Sequence, residues 1–132
     1  MFAKSRSIIF FVLAIGLAMS SGCAPKPIQL TAADNGRQVT LDTGGEFSVA
    51  LTGNPTTGYT WEAKDLDTAF LQQVGAAQFK GDRPGVPGAG GTLTLTFKAL
   101  KSGTAPLTLV YHRSWETNVK PADTFTVTVF VK

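Results

Sequence analysis

Leu93-Thr94-Leu95-Thr96-Phe97 decides the fold: every second residue is large and apolar, and each residue between is a threonine. A strand turns successive side chains to opposite faces, so a period of two buries one face and leaves the other in water. The same alternation recurs in Val39-Thr40-Leu41, Phe47-Ser48-Val49-Ala50-Leu51, Tyr59-Thr60-Trp61, Leu107-Thr108-Leu109-Val110-Tyr111 and Phe125-Thr126-Val127-Thr128-Val129. Working outward from these runs gives strands A (37–41, with or without 28–31), B (46–52), C (59–64), D (72–79), E (92–100), F (105–112) and G (124–131). About seven short strands separated by turn signals predict an all-β, immunoglobulin-like antiparallel β-sandwich. Leu95, Phe97, Leu107, Leu109, Phe125, Val127 and Val129 are expected inside, and so is Trp61, since sandwiches of this class commonly bury a tryptophan on strand C.

The 132 residues are enough for one domain with one core. The first 22 stand apart: Lys4 and Arg6 precede an apolar run from Ile8 to Ala18, followed by Ser20-Ser21-Gly22 and then Cys23. An apolar run of about 11 residues is too short for a bilayer that needs roughly 20, so the segment reads as a secretory signal rather than a buried first strand or helix. Cys23 is the only cysteine, which excludes a disulfide within the domain. Ser21-Gly22-Cys23 resembles the end of a bacterial lipoprotein signal, with Ser20 standing where a Leu-like residue is usual. The resemblance implies acylation of Cys23 and a membrane partner through that lipid, with the protein facing the periplasm or the cell exterior. Ala24, in place of the aspartate that favours inner-membrane retention in such lipoproteins, implies the outer membrane. Without residues 1–22 there remain ten basic and nine acidic side chains, so the charge balance gives no warrant for a nucleic-acid partner.

If each strand returns along the sandwich, connections alternate between its two ends. One end receives Asp42-Thr43-Gly44-Gly45 and Lys101-Ser102-Gly103, which are compact turns. The other receives Asn54-Pro55-Thr56-Thr57-Gly58, a Gly/Pro-rich run over 81–91 and a third run over 113–123. Pro55 fixes one backbone angle, Gly58 permits a positive one, and Asn54 can bond to its own main chain, so the first of these is a stiff turn. Its tip carries Thr56 and Thr57. The segment reads either as an ordinary turn or as a pre-organised binding loop. Gly88-Ala89-Gly90-Gly91 reads either as a flexible stretch or as one that lets backbone approach a partner closely. Trp115, flanked by polar residues and outside the strand alternation, reads as an interface anchor or as a ring folded over the sandwich edge.

Groups for covalent or metal chemistry are scarce. His112 is the only histidine, and lipidation would consume the only thiol, so a His/Cys metal site and a nucleophile-base pair both lack partners. Glu62, Asp65 and Asp67 form a solvated run with no evident acid–base pair, and there is no phosphate or dinucleotide fingerprint. No catalytic residue, metal or cofactor is expected, and the chain does not read as an enzyme.

With its three loops in order, the chain resembles the chagasin-like inhibitors of papain-type cysteine proteases. The likeness is carried by Asn54-Pro55-Thr56-Thr57-Gly58-Tyr59 followed by Trp61, by Gly88-Ala89-Gly90-Gly91, and by Arg113 with Trp115. It covers about 37–131, and implies a monomeric sandwich domain over 37–132; the signal peptide (1–22) and the lipidated Cys23 with its tether (23–36), read above, stand before it. It further implies a reversible inhibitor whose Thr56 and Thr57 enter the protease cleft, with the Gly-rich loop alongside and Trp115 packed beside it. One position departs from the family pattern: Ser114 stands where Arg-Pro-Trp is usual. The competing readings are an envelope-binding module using the same loops and a hydrolase built on His112.

Overall fold

The computed structural model describes residues 27–132. Among the described residues nine strands form two sheets: β1 (Ile28–Thr31), β2 (Gln38–Leu41), β3 (Glu46–Gly53), β4 (Thr60–Lys64), β5 (Leu71–Gln73), β6 (Gln78–Gly81), β7 (Gly91–Ala99), β8 (Gly103–His112) and β9 (Asp123–Val131). One sheet has the order β1-β3-β7-β5, with β6 also paired to β7; the other has the order β2-β9-β8-β4. The strict Thr alternation of β7 puts Leu93, Leu95 and Phe97 into the space between the sheets, where Phe47 stacks on Phe97 at 5.6 Å between ring centroids. All seven residues expected inside are buried, and Trp61 is only 4 % exposed. Among the described residues no buried side-chain polar atom lacks a hydrogen-bond partner.

The all-β sandwich is as expected, but two of the seven anticipated strands are each divided. Strand A, read as 37–41 with or without 28–31, is two strands in different sheets. β1 runs parallel to β3, with Ile28 opposite Phe47, and β2 runs parallel to β9, with Gln38 opposite Thr128. Between them the chain crosses from sheet to sheet through a 3-10 turn, Ala32–Asp34. The crossing is fixed to β9, because Asn35 Oδ1 accepts from Thr126 N at 2.8 Å and Gly36 N donates to Thr126 O at 2.7 Å. The tether expected over 23–36 therefore yields to strand structure at Ile28, and two edge pairs of the sandwich are parallel rather than antiparallel.

Strand D, read as continuous over 72–79, is β5 and β6. Gln73 pairs with Phe97 and Gln78 with Thr94, so four residues of this edge oppose two of β7. The two extra residues form a bulge around Gly75, where the backbone turns through φ +71°. An interruption of this kind removes a long, flat edge that could template pairing with another chain.

The register fixes the poles. Gly53 lies opposite Gly91, Gly81 opposite Gly91, Thr60 opposite His112, and Tyr111 opposite Asp123. The links over 54–59, 82–90 and 113–122 therefore emerge at one pole, as the alternation of connections requires. The start of β1, beside the start of β3, and the end of β9, opposite Gly103, lie at the other.

Gly91 is where three strands meet. A methyl group there would sit 2.1 Å from Lys80 O and 2.8 Å from Gly81 Cα, both backbone atoms that cannot turn aside. Gly91→Ala is accordingly expected to destabilise the domain by about 2–3 kcal/mol, at the upper end of overpacking costs. Chemical denaturation checks this, with loss of cooperativity at β6 as the accompanying sign.

Candidate functional site

The pole is built on a column of rings. Trp61 of β4 stacks on Tyr111 of β8 at 5.1 Å, and Tyr111 meets Tyr59 at 5.2 Å. The guanidinium of Arg113 lies over Tyr59, 4.6 Å from its centroid. Trp61 and Tyr111 are directly opposite across the β4–β8 pair, and each carries a polar tip that needs a partner once its ring is covered. Trp61 Nε1 donates to Thr52 O at 3.0 Å, and Tyr111 Oη accepts from Asn54 N at 3.0 Å. The core thus reaches upward and fixes the first loop by its leading residue.

Asn54 is the hub of that loop. Its Oδ1 accepts from Thr56 N at 3.1 Å and from the Thr56 hydroxyl at 2.5 Å. Its carbonyl accepts from the Thr57 hydroxyl at 2.6 Å and from Thr57 N at 3.2 Å. Pro55–Thr57 is a single 3-10 turn, closed by Gly58 at φ +82° with Gly58 N donating to Pro55 O. Pro55, Thr56 and Thr57 are exposed while Gly58 and Tyr59 are half-buried. Both threonine hydroxyls point their protons back at Asn54, so the tip offers methyl groups and oxygen lone pairs rather than free donors.

The second loop is tied to the first through Asn54 Nδ2, which donates to Gly88 O at 3.0 Å. It is a succession of closed turns: Val86 N donates to Arg83 O, Ala89 N to Val86 O, and Asp82 N to Gly90 O. Gly88 is exposed and Ala89 and Gly90 are half-buried, but Gly91 is buried within β7. The expectation that all four residues 88–91 let backbone approach a partner is corrected at this position. Gly91 is glycine because β6 is close.

The third loop leans on the first. Arg113 Nε donates to Thr57 O at 3.1 Å, and its Nη1 pairs with Glu116 Oε1 at 3.1 Å. Trp115 is 68 % exposed and its ring lies directly over Gly58, where a methyl group would meet Trp115 Cη2 at 2.3 Å. Gly58 is needed twice, for its positive φ and for the indole above it. The ring is neither buried nor folded away. Asn54, Pro55, Thr56, Thr57, Gly58, Tyr59, Gly88, Ala89, Gly90, Arg113 and Trp115 thus share one crown, in which each loop is bonded to another.

Three residues of this pole have contacts that the sequence reading did not anticipate. Tyr111 was readable, since inward parity through Leu107 and Leu109 places it inside with a hydroxyl that must find a partner. Glu62 and Ser114 left no such signal. Glu62 accepts from Ser114 Oγ at 2.8 Å and pairs with His112 Nε2 at 2.7 Å. Partial burial pushes the Glu62 carboxyl up, but the hydrogen bonds from His112 and Ser114 and the charge of His112 outweigh it and hold the carboxyl below its ordinary value. His112, weighed above as the base of a hydrolase, is paired with Glu62 at the rim of this pole. Among the described residues no group of His, Cys, Asp and Glu side chains could hold a metal ion. Cys23, the expected lipidation site, lies outside the described residues.

An immunoglobulin-like sandwich presenting three mutually braced loops at one pole has the build of a binding protein. Residues 40–129 match the family described as "Chagasin family peptidase inhibitor I42", and the chain belongs to that family. It is 30 % identical over 107 residues to amoebiasin-1 of Entamoeba histolytica, covering 80 % of this chain and all of that one. It is also 30 % identical over 103 residues to chagasin of Trypanosoma cruzi, covering 75 % and 93 % of the two chains. Among solved structures, a cysteine protease inhibitor from Entamoeba histolytica superimposes with a TM-score of 0.69 at 25 % identity, over 80 % of this chain and 95 % of that one.

Removing the hydroxyl in Tyr111→Phe leaves the ring stack but strands Asn54 N. The expected result is a loss of about 1 kcal/mol in stability, with faster amide exchange confined to 54–58, measured by hydrogen–deuterium exchange.

Proposed function

We propose that this protein reversibly inhibits papain-type cysteine proteases by seating the crown in the active-site cleft. One observation carries the reading: the three loops that mark the family are bonded into a single rigid surface with an exposed indole at its side. In this reading Thr56 and Thr57 enter the cleft over the catalytic cysteine and histidine. Gly88, Ala89 and Gly90 run along the adjoining subsites, and Trp115 packs on an apolar patch beside them. Arg113 braces the first and third loops from behind.

The physics of such a plug is favourable on two counts. Ordering a mobile loop on binding costs free energy, and here six hydrogen bonds to Asn54 have ordered the first loop beforehand. A crown of this breadth covers about 800 Å² of a partner, the usual scale for protease–inhibitor pairs. The same rigidity protects the loop from cleavage. A scissile bond must reach an attack geometry, and a 3-10 turn pinned at both ends cannot extend into it.

The reading includes an N-terminal lipid on Cys23 that follows removal of a signal peptide over 1–22. It holds the protein at a membrane, facing the periplasm or the cell exterior, with the outer membrane favoured by Ala24. What supports it is the order of charged, apolar and small residues before a solitary cysteine. Acyl chains contribute about 0.8 kcal/mol per buried methylene, which holds a protein firmly only when more than one chain is present.

Titration of a chain lacking residues 1–22 against papain or a cathepsin should give reversible inhibition at or below micromolar concentration. Trp115→Ala should weaken it about 30-fold, the effect of losing a 2 kcal/mol anchor, and Thr56→Ala should weaken it less. An absence of inhibition, or variants equal to the parent, refutes the proposal. For the anchor, Cys23→Ser in the full chain should move the protein from the membrane fraction to the soluble fraction and abolish labelling by a fatty-acid probe.

A further inference from the structure

The geometry points to Glu62 as a positioning residue for the third loop, holding Trp115 in place through Ser114. Glu62 lies on the outer face of β4, diagonal to His112, which sits opposite Thr60 at the end of β8. Two residues on, beyond the end of β8, Ser114 is the first central residue of the turn that carries the indole. One carboxylate spans both: Oε2 meets His112 Nε2 at 2.7 Å and Oε1 accepts the Ser114 hydroxyl at 2.8 Å. The bonds are short and charge-assisted, and together they cross from one strand to its neighbour and on into the loop.

Ser114 is the position from which the loop can be steered. Glu116 N donates to Arg113 O at 3.0 Å, so 113–116 is a β-turn with Ser114 and Trp115 as its central residues. Ser114 is exposed. Its neighbour Arg113 is fixed by Thr57 O, Tyr59 and Glu116, and Trp115 by contact with Gly58. The hydroxyl bond to Glu62 closes the remaining freedom of the turn. A proline at the first central position of a β-turn restricts the same torsion by covalent means, which supplies an independent way to restore what the carboxylate does.

The lowered titration of Glu62 agrees with this role, since the carboxylate is held in its charged, accepting form by both partners. A glutamine in its place keeps an acceptor for Ser114 but loses the negative charge that strengthens both bonds. Glu62 does not belong to the crown and touches no residue assigned to the protease, so its effect on inhibition is indirect. That effect rests on the inhibitory reading; the ordering of the turn does not.

The test is Glu62→Gln, alone and combined with Ser114→Pro. Amide exchange at Glu116 N, followed in the free protein, is expected to quicken about threefold or more in Glu62→Gln and to return to the parental rate in the double variant. The dissociation rate from papain should rise and recover in parallel, while thermal unfolding shows the fold intact in both. Unchanged exchange at Glu116 overturns the inference, as does faster exchange that proline does not correct. If the parent itself fails to inhibit, the inhibitory reading falls and the exchange result still decides the role of Glu62.

Discussion

The contact between Trp61 and Tyr111 sets what the rest of the molecule can do. Both rings face inward from paired strands, so their stacking belongs to the core, yet the hydroxyl of Tyr111 reaches the first atom of the first loop. Were either ring smaller, β4 and β8 would still pair, but Asn54 would have no fixed floor. A buried aromatic pair contributes about 0.5–1.5 kcal/mol beyond the area it covers, a modest sum for stability. Its larger effect is directional, because it transmits the rigidity of a packed interior to a surface segment that water would otherwise leave free.

Upward from that floor the crown is organised as a chain of dependencies. Tyr111 holds Asn54; Asn54 holds Thr56, Thr57 and the second loop through Gly88; Thr57 holds Arg113; and Gly58 leaves room for Trp115. Each link is a single hydrogen bond or contact worth little alone. Together they make three segments, distant in sequence, share one set of coordinates before any partner arrives. Association with such a surface orders little that is new, which is how a small domain binds without burying an unusually large area.

Most of this was legible in the residues. Threonine alternation in β7, β8 and β9 identified the strands and their inward faces, because a period of two has only one structural meaning. Counting connections was enough to place 54–59, 82–90 and 113–122 at the same pole. The divisions at strands A and D were hidden for a physical reason. Alternation reports which face is wet, not which sheet a strand joins, so nothing in Gln38–Leu41 says that it follows β9 rather than continuing Ile28–Thr31. Gly91 misled in the other direction. A glycine demanded by close approach looks the same in sequence whether the approaching backbone is foreign or the chain's own, and here it is Lys80 and Gly81. The carboxylate bridge of Glu62 was beyond reach, because it joins residues 50 and 52 positions apart through a strand register that only coordinates supply.

β1 begins at Ile28, opposite Phe47, and Lys132 follows β9 next to Leu41, so both ends of the described sandwich lie at its base. Ile28 and Lys132 thus have the length of β3 between them and Thr56. A fusion made at Lys132 would leave the crown of loops unobstructed, facing the opposite way.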